Sequence, residues 1–202
     1  MKTIIKDAFI LFCITAISGL LLALVNEITK EPIREQQQRA KSEACSKVFS
    51  SAATFEEAGD DFFAGINTFG WENEHPKNEI LEVYLAKDEA GAVMGYVINI
   101  STTEGYGSEI NICVGIDNTK TITGVTVLSS KETVGLGLEA DNVLSPQFAG
   151  KNEDEFVYTK TGAIASNEID AISSATITTN AFVNCINAAL EYDDLLSAKG
   201  VE

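Results

Sequence analysis

Three hydrophobic rhythms divide the chain. From Ala8 to Val25 eighteen consecutive positions, AFILFCITAISGLLLALV, carry no charge, with Lys2 and Lys6 before them and Glu27, Lys30 and Arg34 after. Wound as a helix, that run spans about 27 Å, close to the hydrocarbon thickness of a bilayer. A cleaved signal peptide also has a basic start and an apolar middle. No small-x-small cleavage site follows Leu21, however, since Ala23-Leu24-Val25 ends in Val. The run predicts a membrane anchor, and the basic N-terminus predicts a single pass with residues 1–6 in the cytoplasm and the remainder outside. Helical spacing then continues through Ala40, Ala44 and Val48, with Cys45 and Phe49 alongside, to about residue 50.

The second rhythm has period two. Leu81, Val83 and Leu85 alternate with Glu82 and Tyr84, AVMGYVINI runs from Ala92 to Ile100, and Ile110, Ile112, Val114 and Ile116 alternate with Glu109, Asn111 and Cys113. A DNTK turn leads into TITGVTVL, where the apolar phase slips across Gly124 and predicts a bulge. These runs predict an antiparallel meander. Before it, residues 51–79 are irregular, with Trp71 as a packing anchor. After it, KETVGLGLEADNV is glycine-rich and unperiodic. A third rhythm, helical again, runs from about Ile177 to Leu196 and places Phe182, Cys185, Ile186, Ala189 and Leu190 on one face. The soluble part reads as α+β, with helices at both ends of a mostly antiparallel sheet.

Charge narrows the partners. The chain has 202 residues and a net charge of −16. Because residues 1–35 hold equal numbers of acidic and basic side chains, all of that charge falls in residues 36–202. Nucleic-acid binding rests on neutralising phosphates with Lys and Arg, so such a surface excludes it. The four cysteines, Cys13, Cys45, Cys113 and Cys185, are widely spaced, which argues against a zinc or iron–sulfur site and reads as buried small hydrophobes. A Cys113–Cys185 disulfide stays open for an extracytoplasmic domain.

Chemistry is equally constrained. The single histidine, His75, sits in the polar loop ENEHPKN with no nucleophile elbow, so a Ser-His-Asp hydrolase is not supported and His75 reads as solvated. Gly135-Leu136-Gly137 lacks the third glycine and the parallel unit of a dinucleotide site. Two features stand above background: five hydroxyl side chains between Ser173 and Thr179 at the start of the last helix, and the glycine loop at 131–138. Capping accounts for one or two of the hydroxyls. The others suit an anion held at a helix N-terminus.

Taken in order, NEITKEPI at 26–33, EGYGSEINICVGID at 104–117, ITGVTVLSSKETVGLG at 122–137, QFAGK at 147–151 and DAISSATITTNA at 170–181 resemble the FMN-binding domain family. That family is found in the G subunit of Rnf complexes and the C subunit of sodium-pumping NADH:quinone oxidoreductases. The resemblance implies covalent FMN, its phosphate joined to the Thr176 hydroxyl, with Ser173, Ser174, Ala175, Thr178, Thr179 and the backbone at the helix start around the resulting diester. It implies that Glu132, Thr133, Gly135, Leu136 and Gly137 approach the isoalloxazine. Asp170, Ser173, Ala175 and Thr176 would form the motif read by a flavin transferase. Two departures stand out: Ser174 replaces the glycine of S-G-A-T, which matters if that residue needs positive φ, and Val134 replaces the proline of E-T-P-G-L-G.

The quinone-oxidoreductase subunit is longer between anchor and flavin motif, so the Rnf-type subunit is preferred and the other kept as the alternative. The implied role is a redox relay, not a complete enzyme. It would carry electrons in a bacterial inner-membrane complex coupling ferredoxin oxidation by NAD to ion movement, beside integral membrane and iron–sulfur subunits. The expected organisation is 1–30 N-terminus and anchor, 31–79 a connector packed on the domain, and 80–202 the FMN-binding domain. The rivals are a cofactor-free, membrane-anchored surface binding module and a stand-alone flavoprotein reductase.

Overall fold

A computed structural model describes residues 2–63 and 68–198. Helix α1 spans Lys2–Val48 without interruption, with Pro32 inside it. Among the described residues one helix segment, Ile4–Val48, is long and apolar enough to cross a membrane, and none of its most apolar window is buried within the protein. By contacts the chain divides into residues 1–41 and residues 42–202. The last turns of α1 therefore belong to the second unit.

That unit is built on one sheet. Strands β1 (Thr54–Glu57), β2 (Asn78–Lys87), β3 (Val93–Gly105), β4 (Ser108–Asp117) and β5 (Ile122–Ser130) follow one another in space as in sequence, each pair antiparallel. Two short helices, α2 (Asp60–Phe63) and α3 (Phe69–Glu74), lie between β1 and β2. Past β5 come a 3-10 turn at Gly137–Glu139, α4 (Ala140–Val143), a second 3-10 turn at Ser145–Gln147, the parallel pair β6 (Val157–Thr159) and β7 (Glu168–Asp170), and finally helix α5 (Thr176–Ala198). The mostly antiparallel sheet with flanking helices is as the periodicity predicts.

Each face of the sheet is covered by a helix. On one, Ile98, Ile100, Ile110, Ile112, Val114 and Ile116 pack against Phe182, Cys185, Ile186 and Ala189 of α5. Every residue of the predicted α5 face is buried. Large side chains removed from water in this way contribute about 1.5–3 kcal/mol each. On the other face Ala86, Val97 and Cys113 meet Ala44, Cys45, Val48 and Phe49. Alternation along β4 thus serves two apolar layers, which is why Cys113 interrupts an otherwise polar set at 109 and 111.

Three details depart from the pattern. In β2 the register slips between Ile80 and Glu82, so Leu81 is bulged outward and 43% exposed while Ile80 joins Val83 and Leu85 toward the α5 layer. An inserted residue reverses the side-chain alternation that follows it. In β5 the predicted bulge falls at Thr123, beside Gly124, and a second at Leu128. Edge strand β1 lies within the stretch read as irregular, because three of its four side chains are exposed and leave no alternation to read. His75 is not free in solvent: its Nε2 lies 2.8 Å from Glu191 Oε2 and its ring against Trp71.

Candidate functional site

The hydroxyl segment begins with a tight turn. Ala175 N–H donates to Ile172 O at 3.1 Å, and Ser174, in the third position, has φ +63°. Positive φ there marks a type II turn, the position that favours glycine. Ser174 thus occupies the backbone state for which S-G-A-T supplies a glycine. Helix α5 starts two residues on, at Thr176. The first N–H groups of a helix have no carbonyl behind them and point outward with the positive end of its dipole.

The hydroxyls of Thr178 and Thr179 are spent within the protein. Thr178 Oγ1 donates to Glu132 Oε2 at 2.6 Å, while Thr179 Oγ1 accepts from Ile172 N–H and donates to Ala175 O. Both residues are buried, Thr176 is partly exposed, and Ser173 and Ser174 are exposed. Of the five, Thr179 closes the turn onto the helix and Thr178 ties the helix to the glycine loop.

Glu132 is the centre of that tie. Only 7% exposed, it also accepts from Gly107 N–H at 2.8 Å through Oε1. Three segments distant in sequence, the β3–β4 turn, the 131–137 loop and the first turn of α5, are thereby joined through one carboxylate. The loop folds back as Leu136 and Leu138 donate N–H to Thr133 O, with Gly135 at φ +77°. A Cβ at Gly137 would press on the Glu132 carboxylate and the Thr178 hydroxyl, so glycine lets the loop close over this pair without displacing either.

These segments enclose a cavity of 490 Å³ lined by Tyr106, Glu132, Thr133, Leu136, Gly137 and residues 174–178. That volume lies in the range of small-molecule and cofactor sites. Most predicted residues meet here. Gly135, Ser173 and Thr179 support the walls without lining them, and Asp170 stands apart, its Oδ1 accepting from Ala163 N–H and its backbone held by Gln147. Two lining residues were not assigned from sequence. Tyr106, 73% exposed, stands between the glycines of the GYG stretch, and Ile177, 55% exposed, follows Thr176. Their signal was an apolar side chain beside a motif residue, which periodicity does not weigh.

The Cys113–Cys185 pairing, open from sequence, does not form. Cys185 lies in the α5 layer and Cys113 in the α1 layer, on opposite faces of the sheet. Among the described residues no disulfide joins any two of the four cysteines.

Comparison with known proteins defines the class first. The FMN-binding domain family matches residues 105–191, and the RnfG N-terminal region matches residues 1–48. The G subunit of the Na(+)-translocating ferredoxin:NAD(+) oxidoreductase complex of Acetobacterium woodii is 36% identical, over 97% of this chain and 94% of that protein. Its counterpart in the ion-translocating oxidoreductase complex of Methanosarcina acetivorans is 30% identical, over 95% of each. The crystal structure of NqrC from Shewanella oneidensis superposes with a TM-score of 0.51 at 16% identity, over 74% of this chain and 86% of that one, a likeness of fold alone. The chain belongs to the family of G subunits of ion-translocating oxidoreductase complexes of the Rnf type.

Proposed function

We propose that the chain carries electrons through an FMN attached by its phosphate to Thr176, within a ferredoxin:NAD oxidoreductase complex whose electron flow drives ion movement. The observation that carries this reading is the cavity in which the ETVGLG loop, Tyr106 and the Ser174–Thr178 segment converge. Its volume and apolar walls fit a planar heteroaromatic group, and the outward N–H groups at the start of α5 fit the charge of a phosphodiester. FMN bound there supplies reversible acceptance and release of electrons.

The protein's own residues supply position. The Thr176 hydroxyl is the attachment atom, partly exposed and so reachable by a transferase that reads Asp170, Ser173, Ala175 and Thr176. The type II turn at Ser173–Ser174 sets the direction of that hydroxyl. Glu132 fixes the floor by holding the Gly107 and Thr178 donors, and Tyr106, Leu136 and Ile177 present apolar surface that displaces water. Covalent attachment suits a domain on the extracytoplasmic side of the inner membrane, where no FMN pool replaces a lost cofactor. Integral membrane and iron–sulfur subunits are the expected neighbours.

The test is the intact mass of the chain purified from its own membranes, with a peptide map across residues 161–199. The expected result is an increase of one FMN less water located on Thr176, and its absence from Thr176→Ala with the fold retained. An unmodified wild-type chain from cells containing the transferase overturns the covalent assignment. Co-purification with integral membrane subunits separates this role from that of a stand-alone reductase.

A further inference from the structure

Two of the four thiols meet on the α1 face of the sheet. Cys45 is 1% exposed and Cys113 0% exposed, packed in one cluster with Val48, Phe49, Ala86 and Val97, and the Cys45 thiol is the first cause that holds the Cys113 thiol pKa up. Neighbouring helix residues fix this approach independently. Lys47 Nζ donates to Thr126 Oγ1 at 2.7 Å and pairs with Asp141 at 3.1 Å. Val48 O accepts from the Thr123 hydroxyl. A Cβ on Gly115 or Gly124 would come within 2.7 or 2.8 Å of that carbonyl, so both strands are cut back to glycine where the helix end rests. Lys47 and Val48 together pin the last turn of α1 on β4 and β5, which buries Cys45 in one cluster with Cys113.

We propose that Cys45 and Cys113 are joined by a disulfide in the mature protein, stapling the end of helix α1 to strand β4. The proposal rests on the extracytoplasmic placement of the domain, where disulfides persist. The oxidant is a disulfide-carrying thiol oxidoreductase. One protein thiolate attacks the oxidant's disulfide to give a mixed disulfide and release one oxidant thiol. The second then attacks the first protein sulfur and displaces the other oxidant thiol. Two protein thiols become one disulfide, and the two electrons and two protons leave on the oxidant as a dithiol. The neighbouring Cys45 thiol and burial push the Cys113 thiol up, so the first attack, on the oxidant, precedes docking, and docking brings the second thiol to the mixed disulfide. Sealed afterwards on both sides, the bond is shielded from reductant.

The experiment is a thiol map of the full chain purified from its own membranes, acid-quenched, denatured and alkylated without reductant. The expected result is a Cys45–Cys113 linked peptide two hydrogen masses below the sum of its parts, with Cys185 alkylated. Alkylation of both Cys45 and Cys113, or a link from Cys113 to Cys185, overturns the proposal. Protease shaving of intact cells reports the membrane side separately, so a domain found inside, which sinks the placement, is told from an outside domain with free thiols, which sinks the disulfide. A second arm is urea unfolding. Reductant lowers the wild-type midpoint and leaves that of Cys113→Ala unchanged; an unchanged wild-type midpoint also counts against the bond.

Discussion

The two ends of helix α5 treat buried polarity in opposite ways. At its start, Glu132, Thr178 and Thr179 are buried and each side chain is hydrogen-bonded, the carboxylate by Gly107 N–H and the Thr178 hydroxyl. Near its end, Asp193 is 3% exposed and its Oδ1 has no partner among the described residues. Burial, then the neighbouring Asp194, raises its pKa from 3.8 to about 7, although Lys120 opposes them. A satisfied buried network is rigid, while an unsatisfied acid weakens the fold wherever it is charged. The cavity sits at the rigid end, as expected of a site that must hold a cofactor in one orientation.

Glu132 carries the largest share of the difference between the two ends. Glu132→Ala leaves the buried Thr178 hydroxyl and the part-buried Gly107 N–H without an acceptor, and a loss of about 3–5 kcal/mol in urea unfolding is expected, with less flavin attached. Glu132→Gln should fall between, because its amide oxygen still accepts one of the two bonds. At the other end Asp193→Asn is expected to stabilise the domain by about 2–3 kcal/mol at pH 8 and far less at pH 5. The sign follows from the raised folded-state value: the protonated acid's stability is complete below pH 3.8 and is lost as pH rises through about 7. Equal effects at both pH values would sink this account. Ser174→Gly relieves a left-handed serine and should add about 1 kcal/mol, with faster flavin attachment in a time-resolved mass assay. Smallest in stability, within about 0.5 kcal/mol, is Tyr106→Ala, since its ring is exposed; the flavin's absorbance and fluorescence should nevertheless change.

Periodicity made most of the frame legible. The uncharged run at 8–25, the alternation at 110–116 and the apolar stripe on α5 each report a local rule, so the long apolar helix, the meander and the closing helix were readable without the fold. The motif order located Thr176 and the 131–137 loop. Edge strand β1 carried no alternation, and the bulge at Leu81 reversed the phase of β2, so neither was readable from pattern.

Local pattern places the elements and the short stretches that carry chemistry, because backbone propensity and side-chain period act over a few residues. Only the tertiary structure decided that Glu132 reaches both Gly107 and Thr178, that Ser174 adopts the backbone of a glycine, and that Cys113 faces Cys45 and not Cys185. Those relations join residues far apart in sequence, 46 positions in the Glu132–Thr178 bond. They are fixed by which face of the sheet each helix covers, a choice made by the packing of the whole core and encoded in no local period.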